Sequence, residues 1–199
     1  MEGLASFLLA AFALTGSPGP NTLSAAAVGA SFGRLNGLRY VAGLSAGVGL
    51  VILIAGTGVS GAVMALPGVA PVITACAMAY FLYLACRIAT APPLGKSAQY
   101  QTSKAPMWYV GVFLSLANPK AYAAMGALFS GHVLQPDQPV TDALTKGILA
   151  LAVVCLVNLI WLSVGAGLAR YLQNPRTSRL VNVSFAVLLL LSIVAVALG

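Results

Sequence analysis

The chain has 199 residues, of which 60% are hydrophobic and 7% charged, with a mean hydropathy of +0.96 and a formal net charge of +7. A soluble domain carries about 25% charged residues, so these figures exclude an ordinary water-soluble globule and point to an integral membrane protein. The positive charge is no nucleic-acid footprint, because no basic helix or aromatic-basic cluster is present to track a phosphate backbone; no nucleic-acid partner is expected.

Several uncharged tracts reach the roughly 20 residues that cross a bilayer core, and six spans can be drawn. Only Glu2 precedes the first, so no basic n-region of a cleaved signal is read. That span, 4–32, is interrupted by Ser17-Pro18-Gly19-Pro20-Asn21. Proline lacks an N–H and clashes with the carbonyl four residues back, so Leu14 and Gly16 lose their helical donors. Gly19-Pro20 also reads as a helix start, since glycine is an acceptable N-cap and proline is favoured at the first helical position. A polar turn, 33–37, leads to the second span, about 38–66, and Pro67-Gly68 turns the chain into the third, about 69–91. After a polar segment, 92–106, the fourth span covers about 107–134 and is interrupted in turn at Asn118-Pro119-Lys120. A loop with Asp137 and Asp142 precedes the fifth span, about 143–171, and the linker 173–179 precedes the sixth, about 180–198.

Lys and Arg stay cytoplasmic. The loops after spans one, three and five hold Arg34, Arg39, Arg87, Lys96, Lys104, Arg170, Arg176 and Arg179, whereas the opposite side holds only Lys146. Both termini are therefore expected to face outward, away from the cytoplasm. The expected fold is all-α: a single transmembrane domain, 1–199, of six helices arranged as two inverted three-helix repeats (about 1–91 and 107–199). The first and fourth helices are broken at their Pro motifs, a recurring transporter design.

The sharpest chemical signal is Lys120. A lysine at the centre of a span costs about 2.5–3.5 kcal/mol on insertion scales, and its default reading is functional. The alternative is that it pairs with carbonyls freed at a neighbouring break and only holds the bundle together. Half-helices starting at Pro20 and Pro119 aim amide ends inward, and such ends attract anions. The carbonyls of Leu14, Gly16 and Ser115, left without helical donors, are available to a cation. An α-amino acid carries both groups on adjacent atoms. The expected substrate-binding set is therefore Pro18, Gly19, Pro20, Asn21, Asn118, Pro119 and Lys120. For both asparagines, N-capping or an interhelical hydrogen bond is an equally good reading. Asn158, Trp161 and Thr57 are candidates for a path or for simple packing, and His132 is expected to be solvated. Gly43 and Gly47 form a GxxxG pair that lets backbones approach closely, within one bundle or at a homodimer seam. The three cysteines have no CxxC spacing and read as packing residues. No catalytic pair, cofactor motif or metal-ligand cluster emerges, which disfavours an enzyme, a thiol carrier and a metal-ion exporter. A non-transporting scaffold or regulatory subunit stays open.

These motifs carry a resemblance. Ser-Pro-Gly-Pro-Asn (17–21), Gly33-Arg34 with Gly37, Gly43 and Gly47, the YFLYLACR stretch (80–87) and FLSLANPK (113–120) make the chain similar to the LysE/RhtB family of bacterial amino-acid exporters, over nearly its whole length. The resemblance implies a secondary active inner-membrane exporter of amino acids or close derivatives, driven by the proton motive force. It further implies an acidic residue in the second span where basic amino acids are handled. Here 43–61 has no ionisable group, which points to neutral amino acids. The expected partners are thus a small amino acid and the lipid bilayer.

Overall fold

The computed structural model describes residues 2–57 and 105–168, with isolated positions within 79–86 and 176–191. The third span and most of the sixth therefore lie outside the described residues. Five helices are described in full: α1 (Glu2–Gly16), α2 (Pro20–Gly56), α3 (Trp108–Leu116), α4 (Pro119–Gly131) and α5 (Pro139–Leu168). No strand occurs among the described residues.

Helix α2 is a hairpin of two legs. Gly33 alone leaves helical geometry (φ 78°, ψ 170°), a left-handed conformation that glycine adopts without the Cβ penalty of other residues. Nine residues of continuous helix would span about 13.5 Å. Yet a Cβ on Gly37 would stand 3.2 Å from the Val28 side chain, and both Gly29 and Gly37 abut Leu162. The chain thus doubles back at one residue, where the sequence suggests a turn of five. Residues 34–37 are helical because a single glycine suffices for the reversal.

The first leg, 20–32, is buried on every side from Pro20 to Ala30. Such burial needs small side chains, and the leg supplies them. A Cβ on Gly29 would meet the Leu162 carbonyl oxygen at 2.1 Å, and one on Gly165 would meet the Ala26 oxygen at 1.9 Å. The second leg, 34–56, runs antiparallel to α5, with Ser45 beside Asn158 and Gly147 beside Ile52. It runs parallel to α3, where Gly43 and Gly47 face Trp108 and Val112 and Gly111 faces Tyr40. The GxxxG pair is consequently covered inside this bundle.

Two apolar clusters stack along the bundle. One gathers Leu23, Tyr40, Leu44, Leu114 and Leu162, with Ala186 added from the sixth span. The other gathers Phe7, Val51, Met125, Leu128 and Val154. Between them lies a buried polar layer: Asn21, Ser45, Ser115, Asn118 and Asn158. The outer surface is apolar, and on α5 alone Leu144, Ile148, Leu156, Ile160 and Val164 are exposed. In water so continuous an apolar surface is rare and marks contact with a protein or a membrane.

Candidate functional site: two helix starts and a bridging lysine

Each proline removes one donor, and each carbonyl so deprived has a replacement in this structure. Pro18 deprives Leu14, whose oxygen accepts from Ser17 Oγ at 3.0 Å. Pro20 deprives Gly16, whose oxygen accepts from Trp161 Nε1 at 3.1 Å. Pro119 deprives Ser115, whose oxygen accepts from Asn118 N at 3.2 Å. The expectation that these three carbonyls stand without partners is thus corrected. A buried carbonyl left unmet costs about 1–3 kcal/mol, and local donors offset that.

The cation is internal. Lys120 Nζ, one residue inside the start of α4, donates to Ser17 O at 2.7 Å, Ser17 Oγ at 2.8 Å and Pro18 O at 3.2 Å. Its three N–H bonds match three acceptors on the other break. The side chain lies across Gly19, where a Cβ would fall 2.8 Å from Nζ and 2.9 Å from Cδ. Gly19 reads in the sequence as a cap; in the structure it also leaves room for the lysine. Its own N–H donates to Thr22 Oγ1 at 2.9 Å, which steadies the entry to α2.

The two helix starts are joined a second time. Asn118 caps α4 by accepting from Lys120 N at 3.1 Å through Oδ1, and its Nδ2 donates to Asn21 Oδ1 at 3.0 Å. Asn21 Nδ2 donates to Ser115 Oγ at 2.9 Å, and Ser115 Oγ donates to Leu44 O at 2.8 Å. This chain of bonds crosses α4, both legs of α2 and α3, and every side chain in it is at least nine-tenths buried. Buried networks satisfied in this way specify one packing arrangement. Asn118 thus both caps its helix and bonds between helices, whereas Asn21 bonds between helices only, and both do so at the site itself.

A cavity of about 40 Å³ opens beside the breaks. Of the expected site residues, Gly19, Asn21, Asn118 and Lys120 line it, while Pro18, Pro20 and Pro119 shape the backbone beside it and are absent from its wall. Thr15, Thr22 and Asn158 complete its polar lining. Asn158 lies about two-thirds of the way along the 30 residues of α5, in the polar layer between the two apolar clusters, which places the cavity at mid-height of the bundle. Thr57 caps the end of α2 and is exposed, away from the cavity. Neither Ser17 nor Ser115 stands out by residue type. Their signal is position: Ser17 opens the first proline motif, and Ser115 stands four residues before Pro119.

A second polar cluster closes the end of the bundle. Lys146 Nζ meets Asp142 Oδ2 at 2.6 Å and donates to the carbonyls of Phe129, in the last turn of α4, and His132, just past it. Asp142 Oδ1 accepts from the backbone N–H groups of Leu134 and Gln135. The hydrogen bond from Lys146 holds the Asp142 carboxyl below its usual range, helped by those two N–H donors and opposed by desolvation. Asp142 stands ahead of the membrane-spanning part of α5. His132, expected to be solvated, is instead half-buried with its ring edge-on to Phe7 at 5.5 Å, because α4 ends directly against α1.

An all-helical chain with apolar flanks, a polar layer at mid-height and one bridging cation defines a helical membrane protein with an internal polar site. The chain belongs to the LysE type translocator family, whose model matches residues 12–199. It is 26% identical over 183 residues to an uncharacterized membrane protein of Vibrio cholerae, covering 90% of this chain and 89% of that one. It is 24% identical over 190 residues to the homoserine/homoserine lactone efflux protein of Salmonella typhi, covering 94% and 91%. The same efflux protein of Salmonella typhimurium is 23% identical over 189 residues, with the same coverage. No solved structure matches the chain.

Proposed function

We propose that this translocator exports neutral amino acids or close derivatives, of the size of homoserine, across the bacterial inner membrane. In this reading both termini face the periplasm and the six spans form two inverted repeats. Pro18–Asn21 and Asn118–Lys120 make a midplane site reached alternately from the two sides. One observation carries the proposal: the Lys120 ammonium bridges the two helix starts on the wall of a mid-height cavity. Helix N-termini favour anions, and a lysine between two of them is a carboxylate receptor once it lets go of Ser17 and Pro18.

The cavity has room for about three waters, too little for an amino acid. Binding therefore requires the breaks to part, and a carboxylate competing for Lys120 supplies the differential interaction that such a change needs. In transporters built on broken helices, unwound carbonyls coordinate the coupling ion. Here the lysine's own ammonium occupies the carbonyls of Ser17 and Pro18, which supports a drive by the proton motive force over a sodium gradient. Among the described residues no carboxylate lines the cavity to receive a cationic side chain, in keeping with neutral substrates.

Counterflow in proteoliposomes against a panel of labelled amino acids tests the reading. Neutral amino acids are expected to exchange, and lysine and arginine are not. Absence of exchange for every amino acid, with folded protein confirmed, would overturn the proposal.

A further inference from the structure

Asn158 takes no part in the network that joins the helix starts. It is 2% exposed, borders the cavity from the second half of α5, and makes a single hydrogen bond among the described residues, Nδ2 donating to Ser45 Oγ at 3.1 Å. That bond fixes the amide plane and leaves Oδ1, with two lone pairs, for the cavity. An amide oxygen at a cavity wall is available to a donor that enters there. The remaining wall from α5 and the facing turns of α4 is apolar, formed by Val154, Val157, Ala124 and Met125. Asn158 is thus the polar group on that side, and Lys120 with the two helix starts forms the other.

We infer that Asn158 is the residue that selects the substrate's side chain. Its Oδ1 accepts a hydrogen bond from a hydroxyl or amide at the end of a short, uncharged side chain, while the carboxylate engages Lys120. The apolar wall holds the intervening methylenes. An uncharged amide offers no counter-charge to a cationic or anionic side chain. Ser45 is the positioning residue, since it holds the amide in register. The inference rests on the exporter reading above and adds what that reading leaves open, the chemistry of the side chain.

The full chain in proteoliposomes, exchanging labelled L-homoserine, provides the test. Unlabelled L-homoserine and L-2-aminobutyrate, which has the same carbon chain without the hydroxyl, are compared as competitors. A site built to hydrogen-bond a hydroxyl discriminates strongly against the analogue lacking it, so the native protein is expected to favour homoserine by at least about tenfold. Asn158→Leu, and Asn158→Ala as a second variant with less bulk, are expected to bring that ratio to roughly one while exchange of 2-aminobutyrate persists. A merely structural role would weaken both competitors by the same factor and preserve the ratio, which overturns the inference. A native ratio near one overturns it without any variant. Exchange of other neutral amino acids without that preference leaves the exporter reading standing, whereas no exchange at all removes both.

Discussion

Replacing Lys120 with methionine keeps an unbranched stem out to Cε and removes the ammonium beyond it, so it isolates what the ammonium does. Three charge-assisted hydrogen bonds, at 2.7, 2.8 and 3.2 Å, tie α4 to the first break. At about 1.5–3 kcal/mol each they set an upper bound on the loss. The Asn118–Asn21 hydrogen bond still joins the two breaks, so the net cost is put at about 1–3 kcal/mol. Methionine also relieves the roughly 2.5–3.5 kcal/mol cost of a lysine at the centre of a span. That gain accrues at insertion, before the helices pack, and does not restore the lost bridge. For a chain of this length the melting temperature is expected to fall by roughly 2–10 °C. Thermal unfolding in detergent, followed by tryptophan fluorescence, measures it, and counterflow on the same preparation measures transport. Lys120→Arg keeps the charge but replaces a compact ammonium with a planar fork, so it should recover stability more than transport. If Lys120→Met melted with the native protein the bridge would carry no energy, and if it also exchanged at the native rate the carboxylate role would be refuted.

Three further outcomes follow from the packing and the second cluster. Gly165→Ala, whose new Cβ would fall 1.9 Å from the Ala26 oxygen, must push α5 off α2 and should cost at least about 1–3 kcal/mol; Gly126→Ala, with nothing within 4 Å, should gain about 0.5–1 kcal/mol from helix propensity. Melting curves of the two variants side by side decide this, and equal effects would contradict the close contact. Trp161→Phe removes the donor to Gly16 O and should destabilise by about 1–3 kcal/mol; unchanged melting would show that another donor takes over. The Asp142 carboxyl is held low by its Lys146 hydrogen bond, so its contribution is complete above the ordinary carboxylate value of 3.8 and is lost as pH falls through the lowered value. Asp142→Asn should accordingly melt below the native protein at neutral pH, with the gap closing in acid; a gap independent of pH would exclude the ion pair as its source.

The sequence by itself determined where the helices start and what kind of solvent surrounds them. A missing proline N–H is a local property, so the ends at Gly16 and Leu116 and the starts at Pro20 and Pro119 are legible from the residues on either side. The reversal near Gly33 is legible for the same reason, although its length is not, because only the observed φ of 78° shows that one residue completes it. The apolar surplus announces a membrane before any fold is known. Tertiary structure alone decided which donor each orphaned carbonyl receives. Asn21 and Asn118 are 97 positions apart, and Trp161 stands 145 positions from Gly16. Contacts at such separations depend on how whole helices pack, and glycines such as Gly29, Gly43 and Gly165 set those distances through side chains they lack. Lys120 shows the division most clearly. Its cost in a bilayer marks it in the sequence as a residue with a purpose, but a flexible four-carbon stem has many rotamers, and only the packed bundle directs its charge to Ser17 and Pro18.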